Sequence, residues 1–158
     1  MTTEVKQMII GGLSCAASSG DTFQVLAPAD GRVIAEVALA GASEADAAVA
    51  QARVGFRLWS SLAPRERERV LLRAAELVEA EGDSRFLDDL IDEGGCTITK
   101  ARGEIGYTAD LLRTAAGESR RLYGDTFPND NPERVSSVFR EPLGVVAVIS
   151  PYNAPLAL

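Results

Sequence analysis

The chain has 158 residues, 46% of them apolar and 25% charged, which is the balance of an ordinary globular domain of about this length. Sixteen Lys and Arg stand against 23 Asp and Glu for a formal net charge of −7, and lysine occurs only at Lys6 and Lys100. Phosphate neutralisation needs clustered cations, so the composition argues against a nucleic-acid partner. There is no histidine, which removes an imidazole base and leaves no His-containing metal site. Cys15 and Cys96 are far apart and outside any CxxC pattern, so both are expected as reduced thiols, with no metal. No apolar run reaches the ~18 residues that cross a bilayer, and "MTTEVKQMIIGG" lacks the layout of a cleaved leader. The expectation is a cytoplasmic protein with no membrane partner.

In chain order, "QMIIGG", "TFQVLAPADG" and "RVIAEVALA" read as short strands of a β-meander or hairpin, with a turn at "PADG" and period two through Val33, Ala35, Val37 and Leu39. From Ser43 the period becomes helical. Ser43 with Asp46 suggests a capping box, and Ala47, Ala50, Val54, Leu58 and Trp59 form an apolar stripe. Pro64 suits the first turn of a second helix, striped by Val70, Leu71, Ala74, Leu77 and Val78, which ends near Gly82 and packs beside the first. Its Arg65, Arg67, Arg69 and Arg73, interleaved with Glu66, Glu68 and Glu76, read as a solvated face. Ser84 opens a third helix with Phe86, Leu87, Leu90 and Ile91 inward, stopped by "DEGGC". A fourth and longest helix is expected over Ile98–Tyr123. Its stripe is Ile98, Ala101, Ile105, Thr108, Leu112 and Ala115, with Arg102, Glu104, Arg113 and Arg120 pointing elsewhere. Gly103, Gly106 and Gly117 would mark close approach to another backbone.

"GDTFPNDNP" reads as a turn-rich linker and Arg134–Glu141 as a strand with one wet face. "VVAVIS" is apolar on both faces, as in a central parallel strand, although a run this short also fits a buried helix segment. Beyond it comes "SPYNAP". In parallel α/β sheets ligands bind past the carboxyl ends of strands, and Pro151 and Pro155 stiffen the segment that carries Asn153. A carboxamide held in this way can donate to an oxyanion. From these six residues alone, a plain loop and a site are both readable.

The order of "VLAPADGRVIAEV", "WSSLAPRERERVLLRAAELVE", "ARGEI", "AAGESRRLYGDTFP" and "REPLGVVAVISPYNAPLAL" resembles the N-terminal part of the NAD(P)-dependent aldehyde dehydrogenase superfamily, from about Met8 onward. The resemblance implies an α/β fold: a small β-meander, about four helices, an oligomerisation-arm strand and the first strand of a Rossmann-like cofactor sheet. The expected divisions are 1–123 for the N-terminal strands and helices of the cofactor domain, 124–142 for the linker and arm, and 143–158 for the first cofactor-sheet strand and active-site loop.

The same resemblance implies oxidation of a small-molecule aldehyde to the acid with NAD or NADP, through a cysteine thiohemiacetal whose oxyanion Asn153 helps to hold. Ile149, Ser150, Pro151 and Tyr152 fall on positions lining the nicotinamide side of the cofactor cleft. Tyr152 stands where tryptophan is commoner. Ala154, Ala157 and Leu158 match substrate-tunnel positions, and Ala154 replaces a frequent phenylalanine, which suggests a bulkier, aromatic aldehyde. "GGCTITKARGE" departs from the commoner "TGKPxxxARGE". The family's nucleophile and general base lie beyond the matching segment, so the chain is expected to be a fragment, inactive alone, of a homo-oligomer (dimer or tetramer). Two alternatives are an acylating, CoA-dependent relative and a truncated, non-catalytic interaction module that pairs through Arg134–Glu141.

Overall fold

The computed structural model describes residues 5–158, so the first four positions of the expected 1–123 unit lie outside the described residues. Instead of one meander there are two small sheets at the start. β1 (Val5–Lys6) is followed by a hairpin of β2 (Met8–Ile10) and β3 (Leu13–Cys15), because Gly11 and Gly12 take φ of 62° and 81° and reverse the chain at once. β4 (Thr22–Leu26) and β5 (Val33–Ala38) pair antiparallel across the expected "PADG" turn, and β1 joins the free edge of β5 in parallel. Ala35 and Ala38 are the buried positions of β5.

α1 (Ala42–Ser61) starts earlier than the Ser43 and Asp46 spacing suggests. The N-cap is Gly41, and the Glu44 carboxylate accepts its N–H at 2.7 Å and that of Ser18 at 3.0 Å. One longer carboxylate thus both caps the helix and ties it to the loop after β3. None of α1 is buried, and Val54, Leu58 and Trp59 of the expected inward stripe are exposed. The expected packing of the first helix on the second is not among the principal contacts, where α1 instead meets β2.

α2 (Pro64–Arg85) begins as expected, with Pro64 in its first turn and Glu66 accepting the Ala63 N–H at 3.0 Å. It runs through Gly82 to Arg85, so Ser84 belongs to α2, and the third helix, α3 (Leu87–Gly94), opens one turn later. Gly95, at φ 60°, ends α3 in the left-handed conformation glycine tolerates best. α4 (Ile98–Glu118) is capped by Thr97, whose hydroxyl accepts the Lys100 N–H at 3.3 Å, and it stops short of the expected Tyr123.

The main contact is α2 against α4. Gly82 lies where any Cβ would overlap the Ile105 methyl Cγ2, so the intimate approach is at Gly82. Gly103, Gly106 and Gly117, expected in that role, have open space beside them. Along the flank, Arg102 meets Asp83 at 3.0 Å, Arg113 grips Glu79, and Arg120 meets Glu68 at 2.8 Å. Residue numbers rise on one helix as they fall on the other, which fixes an antiparallel register. The arginines expected to point away therefore reach sideways, and Glu68 of the supposed solvated face is an inter-helix partner. The core joins Leu90, Ala101 and Ile105 with Val78, Phe86, Leu87, Ile91, Cys96 and Leu156.

Beyond α4 the expected linker contains a strand: β6 (Asp125–Phe127) pairs antiparallel with β7 (Ser136–Val138). β7 is the central part of the expected Arg134–Glu141 strand. Asn129 and Asn131 close the turn by accepting the N–H groups of Asn131 and Glu133, both at 3.0 Å. Val145–Ile149 is not paired in a ladder, and Ile149 is 95% exposed. A strand needs a neighbour for its backbone groups, and none flanks this segment among the described residues. With its two small sheets and the β6–β7 hairpin set against four helices, the chain has the α/β make-up that the sequence resemblance implies.

Candidate active site

The residues after Ile149 fold into a closed loop. The Ser150 hydroxyl donates to the Leu158 carbonyl at 2.7 Å, and the Leu158 N–H donates to Ala154 C=O at 3.1 Å. A looser bond of 3.4 Å runs from the Ala154 N–H to Pro151 C=O. Asn153 lies inside this ring, between the two prolines, with its side chain open to solvent. The dry surroundings that strengthen an oxyanion donor are thus not supplied by the described residues.

The loop is fastened to the helices at one further point. Glu104 of α4, 6% exposed, accepts the Leu156 N–H at 2.8 Å. Lys100, one turn earlier, pairs with the same carboxylate. The Leu156 side chain packs on Leu90, Ala101 and Ile105. Burial pushes the Glu104 carboxyl upward, but the Lys100 ammonium and the facing backbone N–H groups of the loop outweigh it, so the net displacement is downward and the group is a carboxylate.

Sequence reasoning missed Glu104, setting it off the apolar stripe of the fourth helix. The signal was its phase: it lies three residues after Ala101 and four before Thr108, both buried. A charged residue at an apolar stripe position, with a lysine one turn away, marks a buried group that has partners.

Tyr152, Pro155 and Leu156 line one wall of a cleft of about 390 Å³, with Val25, Phe86 and Leu90 across from them. Asp89 and Glu93 supply its polar rim, and burial together with Asp89 raises the Glu93 carboxyl above its ordinary value. Of the remaining expected site residues, Ala154 and Ala157 are half-buried, while Ile149, Ser150, Pro151 and Leu158 are exposed. Ile149 and Tyr152 are both almost fully exposed. Neither a lysine nor an arginine is among positions 141–158, so a pyrophosphate would need other residues. No cluster of metal-binding side chains and no helix long and apolar enough to cross a membrane occurs among the described residues.

A family model described as "Aldehyde dehydrogenase family" matches residues 15–158. Vanillin dehydrogenase of Pseudomonas fluorescens is 38% identical over 151 residues, which are 96% of this chain and 31% of that protein. Relatives named for semialdehydes match comparably. An NAD-dependent aldehyde dehydrogenase structure from Sinorhizobium meliloti superposes with a TM-score of 0.89 at 37% identity, covering 98% of this chain and 31% of that one. An NADP dependent enzyme of E. coli gives a TM-score of 0.91 at 32% identity, over 96% and 31% of the two chains. Nicotinamide cofactors of both kinds are thus used within the group. The chain spans about a third of the length of the curated relatives it matches. With a loop held between prolines on the α2–α4 body and a family match over nearly its whole length, the chain belongs to the aldehyde dehydrogenase family.

Proposed function

We propose that the protein carrying this chain oxidises an aldehyde, with NAD(P)+ and water, to the carboxylic acid and NAD(P)H. The observation that carries the reading is the closed Ser150–Leu158 loop with Asn153 between Pro151 and Pro155. Asn153 is the catalytic residue: its carboxamide Nδ2 donates to the aldehyde oxygen as a nucleophile adds and negative charge gathers there. The nucleophile and the general base come from residues outside these 158. NAD(P)+, when bound, supplies the two-electron acceptor, and Ile149, Ser150, Pro151 and Tyr152 flank one face of its nicotinamide ring.

Ala154, Ala157 and Leu158 border the aldehyde's approach, and the small Ala154 leaves room for a bulky, aromatic substrate. The exposed β6–β7 hairpin is the element through which a homo-oligomer, dimer or tetramer, would form, and the cytoplasm is the compartment that fits.

The test is NAD(P)H formation by the full-length enzyme on benzaldehyde-type and acetaldehyde-type substrates, with and without Asn153→Ala. The expected result is faster turnover of the aromatic aldehydes and a kcat loss of about 10²–10³-fold in the variant. Undiminished kcat would remove Asn153 from the chemistry, preference for acetaldehyde would remove the wide tunnel, and release of a CoA ester would favour the acylating class.

A further inference from the structure

We infer that Glu104 is a positioning residue, holding the Asn153 loop so that the carboxamide meets the aldehyde oxygen. The inference rests on the catalytic reading of Asn153 and deepens it. Three observations converge on Glu104. First, its carboxylate lies 52 positions from Leu156 in sequence yet accepts that residue's N–H at 2.8 Å. Second, it is buried, with its side chain 4% exposed, and Lys100 neutralises it from its own helix. Third, the Leu156 side chain beside the bond packs into the core made by Leu90, Ala101 and Ile105.

The loop is otherwise closed mainly on itself, through Ser150 with Leu158 and Ala154 with Leu158. Those bonds give it shape but do not place it on the helices. Glu104 supplies the placement, and its anchor is three residues from Asn153.

A carboxylate is the group that fits, because every partner is a donor. Glutamine would turn an NH2 toward either Lys100 or a backbone N–H, setting donor against donor. Aspartate keeps the charge but is one methylene too short to reach the loop. Either change lets the loop drift, and a displacement near 1 Å costs about 10²-fold in rate when a reacting geometry depends on it.

A purely structural buried ion pair would weaken the fold without acting through Asn153, so the decisive measurement is a double-mutant cycle in the full-length enzyme. Glu104→Gln is expected to lower kcat about ten- to hundredfold in the otherwise native enzyme, and no more than about twofold when Asn153 is already alanine. Glu104→Asp gives a second arm with the charge retained and the same expectation. Equal fold-losses in both backgrounds would overturn the inference, as would an unaltered kcat in the Glu104 variants. If neither variant yields folded enzyme, Glu104 is a residue of the fold and the inference falls as well. Failure of the underlying reading looks different: Asn153→Ala alone would leave kcat unchanged.

Discussion

Glu44 and Glu104 are both carboxylates that accept backbone N–H groups, but at different depths. Glu44 stands on the surface at the start of α1. Its carboxyl is held down to about 2 from an ordinary 4.5 by hydrogen bonds from Ser18, then Gly41, with Ser43 adding to them. A group depressed on folding adds stability that is complete above its unfolded value and is lost as the pH falls toward the folded one. The loss should therefore develop below pH 4.5 and continue toward pH 2. In Glu44→Gln, acid unfolding followed by circular dichroism should be shallower across that window, with a smaller difference in stability between pH 6 and pH 3 than in the native sequence. Identical acid limbs would show that the caps at Ser18 and Gly41 do not survive in solution. Glu44 was hidden in sequence by Ser43 beside it, which offered a plausible cap of its own. The two residues differ in reach: the Ser43 hydroxyl meets Ser18 only at its hydroxyl, at 3.0 Å, whereas the Glu44 carboxylate takes the backbone N–H groups of both Ser18 and Gly41.

Among the elements, α2 and α4 are bound by a notch. Gly82 on one receives the Ile105 Cγ2 methyl of the other, and three ion pairs along the flank hold that register. Exposed pairs of this kind add little to stability, so the notch and the core behind it carry the contact. Alanine at position 82 would gain about 1 kcal/mol of helix propensity but face an overpacking cost of about 1–3 kcal/mol, since Ile105 is buried and stiff at χ1. Gly82→Ala should thus lower the denaturant midpoint by a net ~1 kcal/mol, and adding Ile105→Ala should abolish that penalty. A stabilised Gly82→Ala variant would refute the notch. The glycine was legible in sequence as a helix end because it interrupts the apolar stripe; its service to a neighbouring helix needed the third dimension. The same holds for Gly103, Gly106 and Gly117, whose composition suggested contact although their faces are open.

Over the whole molecule, the buried apolar residues are mostly alanines, and the large apolar side chains at Leu58, Leu143, Val148, Ile149 and Phe139 are exposed. Exposed apolar area on this scale is uncommon on a monomer that works alone. The isolated 158-residue chain should bind an apolar dye such as ANS and form polydisperse aggregates in size-exclusion chromatography with light scattering, whereas the full-length enzyme should bind little dye and run as one defined oligomer. A monodisperse, dye-silent chain would contradict this. This scale also explains what the sequence could show. The patterns of α2, α3 and α4 were readable in part: Leu71, Ala74 and Val78 of α2, the inward face of α3, and Ala101, Ile105 and Thr108 of α4 meet partners within the chain, whereas Val70, Leu77, Ile98 and Ala115 of the expected stripes stay exposed. The α1 stripe and "VVAVIS" were equally readable as apolar, but their partners are not among the described residues, so neither burial nor pairing follows. The proposed site loop was recognisable from Pro151, Asn153 and Pro155, whereas Glu104 could be read in sequence only as a buried carboxylate, because a hydrogen bond across 52 positions leaves no pattern that names its partner.

That long-range bond also bears on the order in which the protein is made. A chain synthesised from its N-terminus completes α4 before Leu156 is added, so the carboxylate and the apolar seat for Leu156 can form ahead of the loop they receive. The helices can then act as a template on which the loop carrying Asn153 is set as it emerges.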